Sequence, residues 1–210
     1  MIVAFIPARG GSKGLKKKNI TNFNGKPLIY WSIKSALESK LINHIIVSTD
    51  DDEIIKIVEG FNLNVSIDKR PPELATDQAK TIDVLNEFAI RHNSYNSYVL
   101  LQPTSPLRSK GIIDICLNKF NNNKTDVLVS GFWTHIIEYG THQNARRQDL
   151  KEFFYDDGNV YVLSRKTILE KKWFNENHIK FTNKLPYCLE IDTLDEFKNL
   201  ETLIKNKNEL

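Results

Sequence analysis

Apolar positions fall into two alternating patterns along the first two-thirds of the chain. Residues 2–6, Ile2-Val3-Ala4-Phe5-Ile6, are continuously apolar, as expected of a strand buried on both faces of a parallel sheet. A helix is predicted over 27–39, with Pro27 suited to its first turn. A strand over 44–47 ends at Ser48-Thr49-Asp50, and Asp50, Asp51 or Asp52 can cap a helix running to 59 that Gly60 closes. A strand over 64–67, a helix over 81–91, a strand over 97–101, a helix over 111–120 and a strand over 126–131 continue the rhythm. This strand–helix order predicts an α/β sheet with right-handed crossovers.

Residues 132–155 break the pattern with mixed polar and aromatic side chains, and read as an excursion from the sheet, an arm for dimer contacts. Later strands are expected over 159–163 and 187–191, and Thr193 caps a closing helix to about 205. With no internal repeat and no Pro/Gly/Ser linker, the chain reads as one domain, 1–210.

Composition supports a packed domain: 40% of the residues are hydrophobic and 10% aromatic, too many for disorder over most of the length. A formal net charge of +3 gives no whole-protein case for binding nucleic acid. The two cysteines, Cys116 and Cys188, form neither a disulfide framework nor a zinc pattern and are expected as buried thiols. The apolar start breaks at Pro7 and lacks a basic leader region, and no apolar stretch approaches bilayer length, so no membrane association is expected and the simplest compartment is the cytoplasm.

One segment carries concentrated chemistry. Pro7-Ala8-Arg9-Gly10-Gly11-Ser12-Lys13-Gly14-Leu15-Lys16-Lys17-Lys18-Asn19 directly follows the first strand, where open α/β sheets place their ligand crevice. Gly10, Gly11 and Gly14 let backbone N–H groups approach a ligand, and Arg9, Lys13 and Lys18 add charge suited to a triphosphate. The Walker spacing is absent, since Leu15 follows Gly14, and so is the dinucleotide fingerprint. A solvated basic loop is the competing interpretation. At the end of a buried strand, Gln102 needs a protein or ligand partner, and Pro103 to Pro106 stop the strand while leaving Thr104 and Ser105 to offer hydroxyls, unless the segment is a plain turn. Glu190 and Asp192 sit two apart on an expected strand and so share a face, where a cation would relieve their repulsion. Mg²⁺ suits one or two carboxylates completed by phosphate oxygens and water. Alternatively, Glu190 is solvent-exposed and Asp192 caps the last helix.

The string Ile6-Pro7-Ala8-Arg9-Gly10-Gly11-Ser12-Lys13-Gly14 with Lys18-Asn19 resembles the acylneuraminate cytidylyltransferases, or CMP-sialic acid synthetases. The resemblance continues in order through Ile46-Val47-Ser48-Thr49-Asp50, Arg70-Pro71-Pro72-Glu73-Leu74-Ala75, Leu100-Leu101-Gln102-Pro103-Thr104-Ser105-Pro106-Leu107-Arg108, Arg147-Gln148, Gly158 with Tyr161, and Ile191-Asp192-Thr193. It implies a three-layer nucleotide-binding sandwich with a mostly parallel central sheet, of the nucleotide-diphospho-sugar transferase type, and a small dimerisation excursion at 132–155. The implied reaction joins CTP to a nonulosonic acid of the neuraminic, legionaminic or a related kind, releasing pyrophosphate, with Mg²⁺ (Mn²⁺ substituting) and a homodimer. Competing readings are a cytidylyltransferase for an eight-carbon ulosonic acid and a catalytically silent nucleotide-binding protein on the same fold.

By the same resemblance, Arg9, Gly10, Ser12, Lys13 and Lys18 face the triphosphate, with Arg9, Lys18 and Asp192 acting in catalysis. Asn19 and Arg70 lie near the nucleotide, and Ala79 and Thr81 read cytosine through backbone groups. Gln102, Thr104 and Ser105 bind the sugar acid, while Tyr161, Trp173 and Phe174 line its acyl side. Arg147 and Gln148 approach from the neighbouring subunit, and Asp192 with Glu190 holds the metal, Glu190 replacing the family's usual aspartate. Arg108 receives no role beyond bracing its loop. The scheme requires the glycine loop, with Lys13, to meet Asp192 across one cleft.

Overall fold

The computed structural model describes all residues except 12–13, 137–140, 142–144 and 208–210, and the side chains of Arg147, Asn206 and Lys207 also lie outside the described set. Nine strands are described: β1 Ile2–Pro7, β2 Asn22–Phe23, β3 Lys26–Pro27, β4 His44–Thr49, β5 Ser66–Lys69, β6 Ser97–Leu100, β7 Val127–Thr134, β8 Phe153–Ser164 and β9 His178–Thr182. The α-helices are α1 Leu28–Leu37, α2 Asp52–Glu59, α3 Thr81–Arg91, α4 Ile112–Asn122, α5 Arg165–Leu169 and α6 Leu194–Lys207.

The main sheet has the order β5-β4-β1-β6-β8-β7-β9. Pairs β4/β5, β1/β4, β1/β6 and β7/β9 are parallel, while β8 runs antiparallel to both β6 and β7. Strand alternation explains the three layers. Ala4, Ile6, Val99, Leu101, Val160 and Val162 pack on one face with α1, α2 and α4. Val3, Phe5, Tyr98, Leu100, Tyr161 and Leu163 pack on the other with α3 and α5. The small β2–β3 hairpin, α6 and the outer side of α1 form a third cluster around Phe23, Trp31, Ile191 and Phe197. Cys116 and Cys188 are buried free thiols.

The local signals act as their chemistry demands. Asp51 caps α2, its Oδ1 accepting from Glu53 N at 2.7 Å and Ile54 N at 3.3 Å. Thr193 and Glu196 form a reciprocal capping box at α6: Glu196 N donates to Thr193 Oγ1 at 3.3 Å, and Thr193 N donates to Glu196 Oε2 at 2.8 Å. Asp192 therefore does not cap the helix; its own N–H is held by Glu196 Oε2 at 2.8 Å.

Two expectations are corrected. Residues 187–191 are not a strand: Tyr187 N donates to Lys184 O and Leu189 N to Pro186 O, which makes turns, and Tyr187, Leu189 and Ile191 direct their apolar side chains into the third cluster. The strand nearby in sequence is β9, beside β7. Nor do residues 132–155 leave the sheet at once. Gly131↔Asp156 through Thr134↔Phe153 pair as an antiparallel ribbon that extends β7 and β8.

Candidate active site

Strand order places a switch point beside β1. The chain runs from β1 to β4 and β5 on one side, then returns to β6 on the other. Loops leaving the carboxyl ends of β1 and β6 diverge there and open a crevice, the usual ligand position in such sheets. A cleft of about 530 Å³ occupies it, with Pro7, Arg9, Lys18, Asn19, Arg70, Ala79, Thr81, Gln102, Thr104 and Asp192 in its lining. Residues as far apart as Pro7 and Asp192 thus share one surface.

The cationic side comes from the loop after β1. Ala8 N donates to Ser48 O at 2.9 Å, prolonging the β1–β4 pairing into the loop, and Gly10 N donates to Asp50 Oδ1 at 3.0 Å. Asn19 is buried and its Nδ2 donates to Arg9 O at 3.0 Å, folding the loop back on itself. Arg9 pairs with Asp77 at 2.7 Å, with Asp77 also lining the cleft. No motif in the sequence singles out Asp77; its place two residues before Ala79, on the same loop, is the available signal. Arg70 is buried rather than a surface charge: its Nη2 donates to Ser48 O at 2.8 Å, and burial lowers its pKa against the pull of Asp50 and Asp68.

The acidic side is the segment before α6. Lys18 Nζ lies 2.7 Å from Asp192 Oδ1; the lysine side chain is 13% exposed and the aspartate 69%. Lys18 is thus a sheltered cation, whereas the Asp192 carboxylate stays open to the cleft. Ser12 and Lys13 lie outside the described residues. Gly14, however, backs directly onto this segment: a Cβ there would overlap the Asp192 carbonyl oxygen, so the close approach needs glycine. The glycine loop and the acidic edge therefore meet.

Glu190 is not part of the cleft lining; its carboxylate lies against Gly158. That glycine has φ 63°, and a Cβ on it would overlap the Glu190 carboxylate and the Ser105 hydroxyl. Burial, followed by the charges of Asp192, Asp156 and Asp157, pushes the Glu190 carboxyl up to about 7. Tyr155 is raised as well, first by the Glu190 charge. This accumulation of negative groups is the setting a cation relieves. Among the described residues no three His, Cys, Asp or Glu side chains converge as a protein-only metal cage. The donor set fits Mg²⁺ completed by substrate oxygens, with Asp192 in the cleft and Glu190 beside it.

The sugar-side candidates divide. Gln102 and Thr104 line the cleft, and Thr104 O accepts from Ile191 N at 2.7 Å, tying the loop after β6 to the acidic segment. Ser105 is fully buried, with its hydroxyl donating to Asp157 O at 3.0 Å. Tyr161 is core: its hydroxyl donates to Asp156, and its ring lies 5.1 Å from that of Trp173. Phe174 is 73% exposed, and neither it nor Trp173 is part of the cleft lining. Gln148 is exposed on a short 3-10 turn, Arg147–Asp149, beyond the β7–β8 ribbon. Tyr161, Trp173, Phe174 and Gln148 are not among the residues that line the cleft, and the Arg147 side chain lies outside the described set.

Comparison with known proteins shows a family and a fold. A family model described as Cytidylyltransferase matches residues 3–206. The N-acylneuraminate cytidylyltransferase of Streptococcus agalactiae is 33% identical over 93% of this chain and 51% of that protein. The pseudaminic acid cytidylyltransferase of Campylobacter jejuni is 30% identical over 99% of this chain and 97% of that protein. The chain thus spans about half the length of the first relative and nearly all of the second. Among solved structures, a CMP:2-keto-3-deoxy-manno-octonic acid synthetase complexed with CTP superposes with a TM-score of 0.75 at 16% identity, covering 98% of this chain and 99% of that one, a likeness of fold.

Proposed function

This chain belongs to the cytidylyltransferase family, and from that premise we propose that it transfers CMP from CTP to the anomeric hydroxyl of a nonulosonic, sialic-acid-like sugar acid. The anomeric oxygen bonds to the α-phosphorus as its hydroxyl gives up a proton. The bond from that phosphorus to the bridging oxygen of the β-phosphate breaks, and pyrophosphate leaves with the electron pair. The observation carrying this reading is the Lys18–Asp192 pair in a cleft that also holds Arg9, Asn19, Arg70, Ala79, Thr81 and Gln102.

Nucleotidyl transfer needs positioning and charge stabilisation more than covalent help. Arg9 and Lys18 each hold a carboxylate in the free protein, and a triphosphate is a stronger competitor for both. Lys18, sheltered and beside Asp192, is placed to offset charge developing at the α-phosphate. Thr81, the first residue of α3, and Ala79, in the turn before it, offer backbone groups to cytosine, while Gln102 and Thr104 face the sugar. Asp192 and Glu190 would hold Mg²⁺, with Mn²⁺ able to substitute, and the ion would neutralise phosphate charge.

The β7–β8 ribbon exposes Trp133, Phe153 and Tyr155, and Ile136 is exposed just past the end of β7, apolar surface suited to a second copy of the chain. A homodimer formed there would carry Arg147 and Gln148 toward a neighbouring cleft. Among the described residues no helix is long and apolar enough to cross a membrane; the proposed setting is the cytoplasm.

The test is pyrophosphate release with CTP, Mg²⁺ and a panel of eight- and nine-carbon sugar acids, with ATP, GTP and UTP in parallel. Release with CTP and a nine-carbon acid supports the reading. Release with an eight-carbon acid alone transfers it to that substrate, and no release with any acid rejects it.

A further inference from the structure

Behind the sugar side of the cleft lies a polar network centred on Arg108. The residue is half-buried, and its guanidinium contacts three oxygens, one on β8, one on α1 and one in the loop after β6. Nε donates to Asn159 O at 3.0 Å, Nη1 to Ser32 Oγ at 2.9 Å, and Nη2 to Gln102 O at 2.9 Å. Ser32, buried on α1, also donates its hydroxyl to Gln102 O at 3.3 Å. Desolvation brings the Arg108 pKa down to about 9, opposed by the Asp157 charge, so it remains a cation at neutral pH.

The network continues to the acidic edge. Asn159, fully buried, donates from Nδ2 to Leu107 O at 2.6 Å and Tyr187 O at 2.8 Å. Asn183 Nδ2 donates to the same Tyr187 carbonyl at 3.1 Å and to Asp157 Oδ2 at 3.0 Å. Asp157 also accepts from Ser130 Oγ at 2.6 Å. A continuous set of polar contacts therefore runs from the backbone of Gln102 to the backbone of Tyr187, three residues before Glu190.

An enclosed guanidinium hydrogen-bonded to neutral oxygens is a poor source of stability compared with an apolar side chain of similar size. What it does supply is geometry, because one rigid planar fork fixes the separation of every oxygen it contacts. Gln102 needs that help. Its side-chain oxygen accepts from Thr104 Oγ1 at 3.4 Å, too long to set its direction.

We propose that Arg108 is a positioning residue: by joining the carbonyls of Gln102 and Asn159 it aims the Gln102 side chain into the cleft at a fixed distance from the Glu190–Asp192 edge. It thereby governs capture of the acidic sugar and leaves capture of CTP to the opposite wall. This rests on the proposed function, which assigns the sugar to Gln102.

The experiment measures both KM values for wild type, Arg108→Lys and Ser32→Ala, with folding checked by circular dichroism. A lysine offers donors from a single atom and cannot span the three oxygens. Arg108→Lys should raise the KM for the sugar acid about tenfold or more and leave the KM for CTP within about twofold, since small misplacements of a substrate-binding group are costly. Ser32→Ala should show the same split at about threefold. Parallel rises in both KM values, or an unchanged sugar KM in either folded variant, overturn the inference. If Arg108→Lys does not fold, Ser32→Ala decides alone. A wild type that releases no pyrophosphate with any acid overturns the functional reading instead, and the inference falls with it.

Discussion

The two walls of the cleft are built by different physics. The cationic wall is a product of parallel sheet topology: β1 ends, its glycine loop turns over the sheet edge, and Arg9, Lys18 and Asn19 follow within a dozen residues. The opposite wall draws Gln102 and Asp192 from segments about 90 residues apart, and neither sits on a strand. Buried polar contacts hold it instead, through Arg108, Asn159, Asp157 and Asn183. The cationic loop is placed by where β1 ends and is braced by Asn19 and Asp50, whereas the acidic wall has no strand beneath it and rests on buried side-chain donors.

Asp192→Ala tests that contrast with the largest expected effect. Its carboxylate is 69% exposed, so turnover should fall about 10³-fold while the folding midpoint stays unchanged. A matching loss of stability would make Asp192 a structural residue. Lys18→Ala should lower kcat about 10²-fold with little change in the KM for CTP, because its charge acts where charge develops; a rise in KM alone would reduce it to a binding contact.

Gly158→Ala sharpens the comparison on the acidic side. A positive φ together with overlap on Glu190 and Ser105 should cost about 1–3 kcal/mol in urea denaturation. An unchanged midpoint would show that Glu190 can move freely from this site. The smallest effect concerns pH. With the Glu190 pKa raised from 4.5 to about 7, the native state binds more protons than the unfolded chain between those values. This contribution is full below about pH 4.5 and is lost as pH rises through about 7. Thermal melts without divalent cation should therefore lose stability across that window, and Glu190→Gln should flatten the curve. Identical curves for both proteins would contradict the crowding of the acidic edge.

The same contrast explains what the sequence made legible. Strands β1, β4 and β6 announce themselves as apolar runs because both their faces are covered, and α3 follows the 3.6-residue spacing of Ile82, Leu85 and Phe88–Ala89. The glycine loop declares its chemistry through adjacent glycines and cations. On the other wall, Tyr187, Leu189 and Ile191 alternate like a strand but pack on α6 and α1 from a series of turns. The ribbon of β7 and β8 hid in residues 132–155 because both its faces carry aromatic side chains exposed to solvent, Trp133 on one and Phe153 with Tyr155 on the other, so no apolar/polar alternation marks it. Trp173, expected in the sugar pocket, packs at a tilt against the buried Tyr161, since aromatic composition alone does not separate core from site. Arg108 could be placed near its loop, but its three partners lie up to 76 residues away and leave no local pattern.

The central claim is that the cationic loop and the acidic edge serve one bound nucleotide. Calorimetric titration of CTP, with and without Mg²⁺, into wild type and Asp192→Ala tests it most directly. The account predicts that Mg²⁺ tightens CTP binding in the wild type and that this gain disappears in the variant. The same gain in both proteins would contradict it.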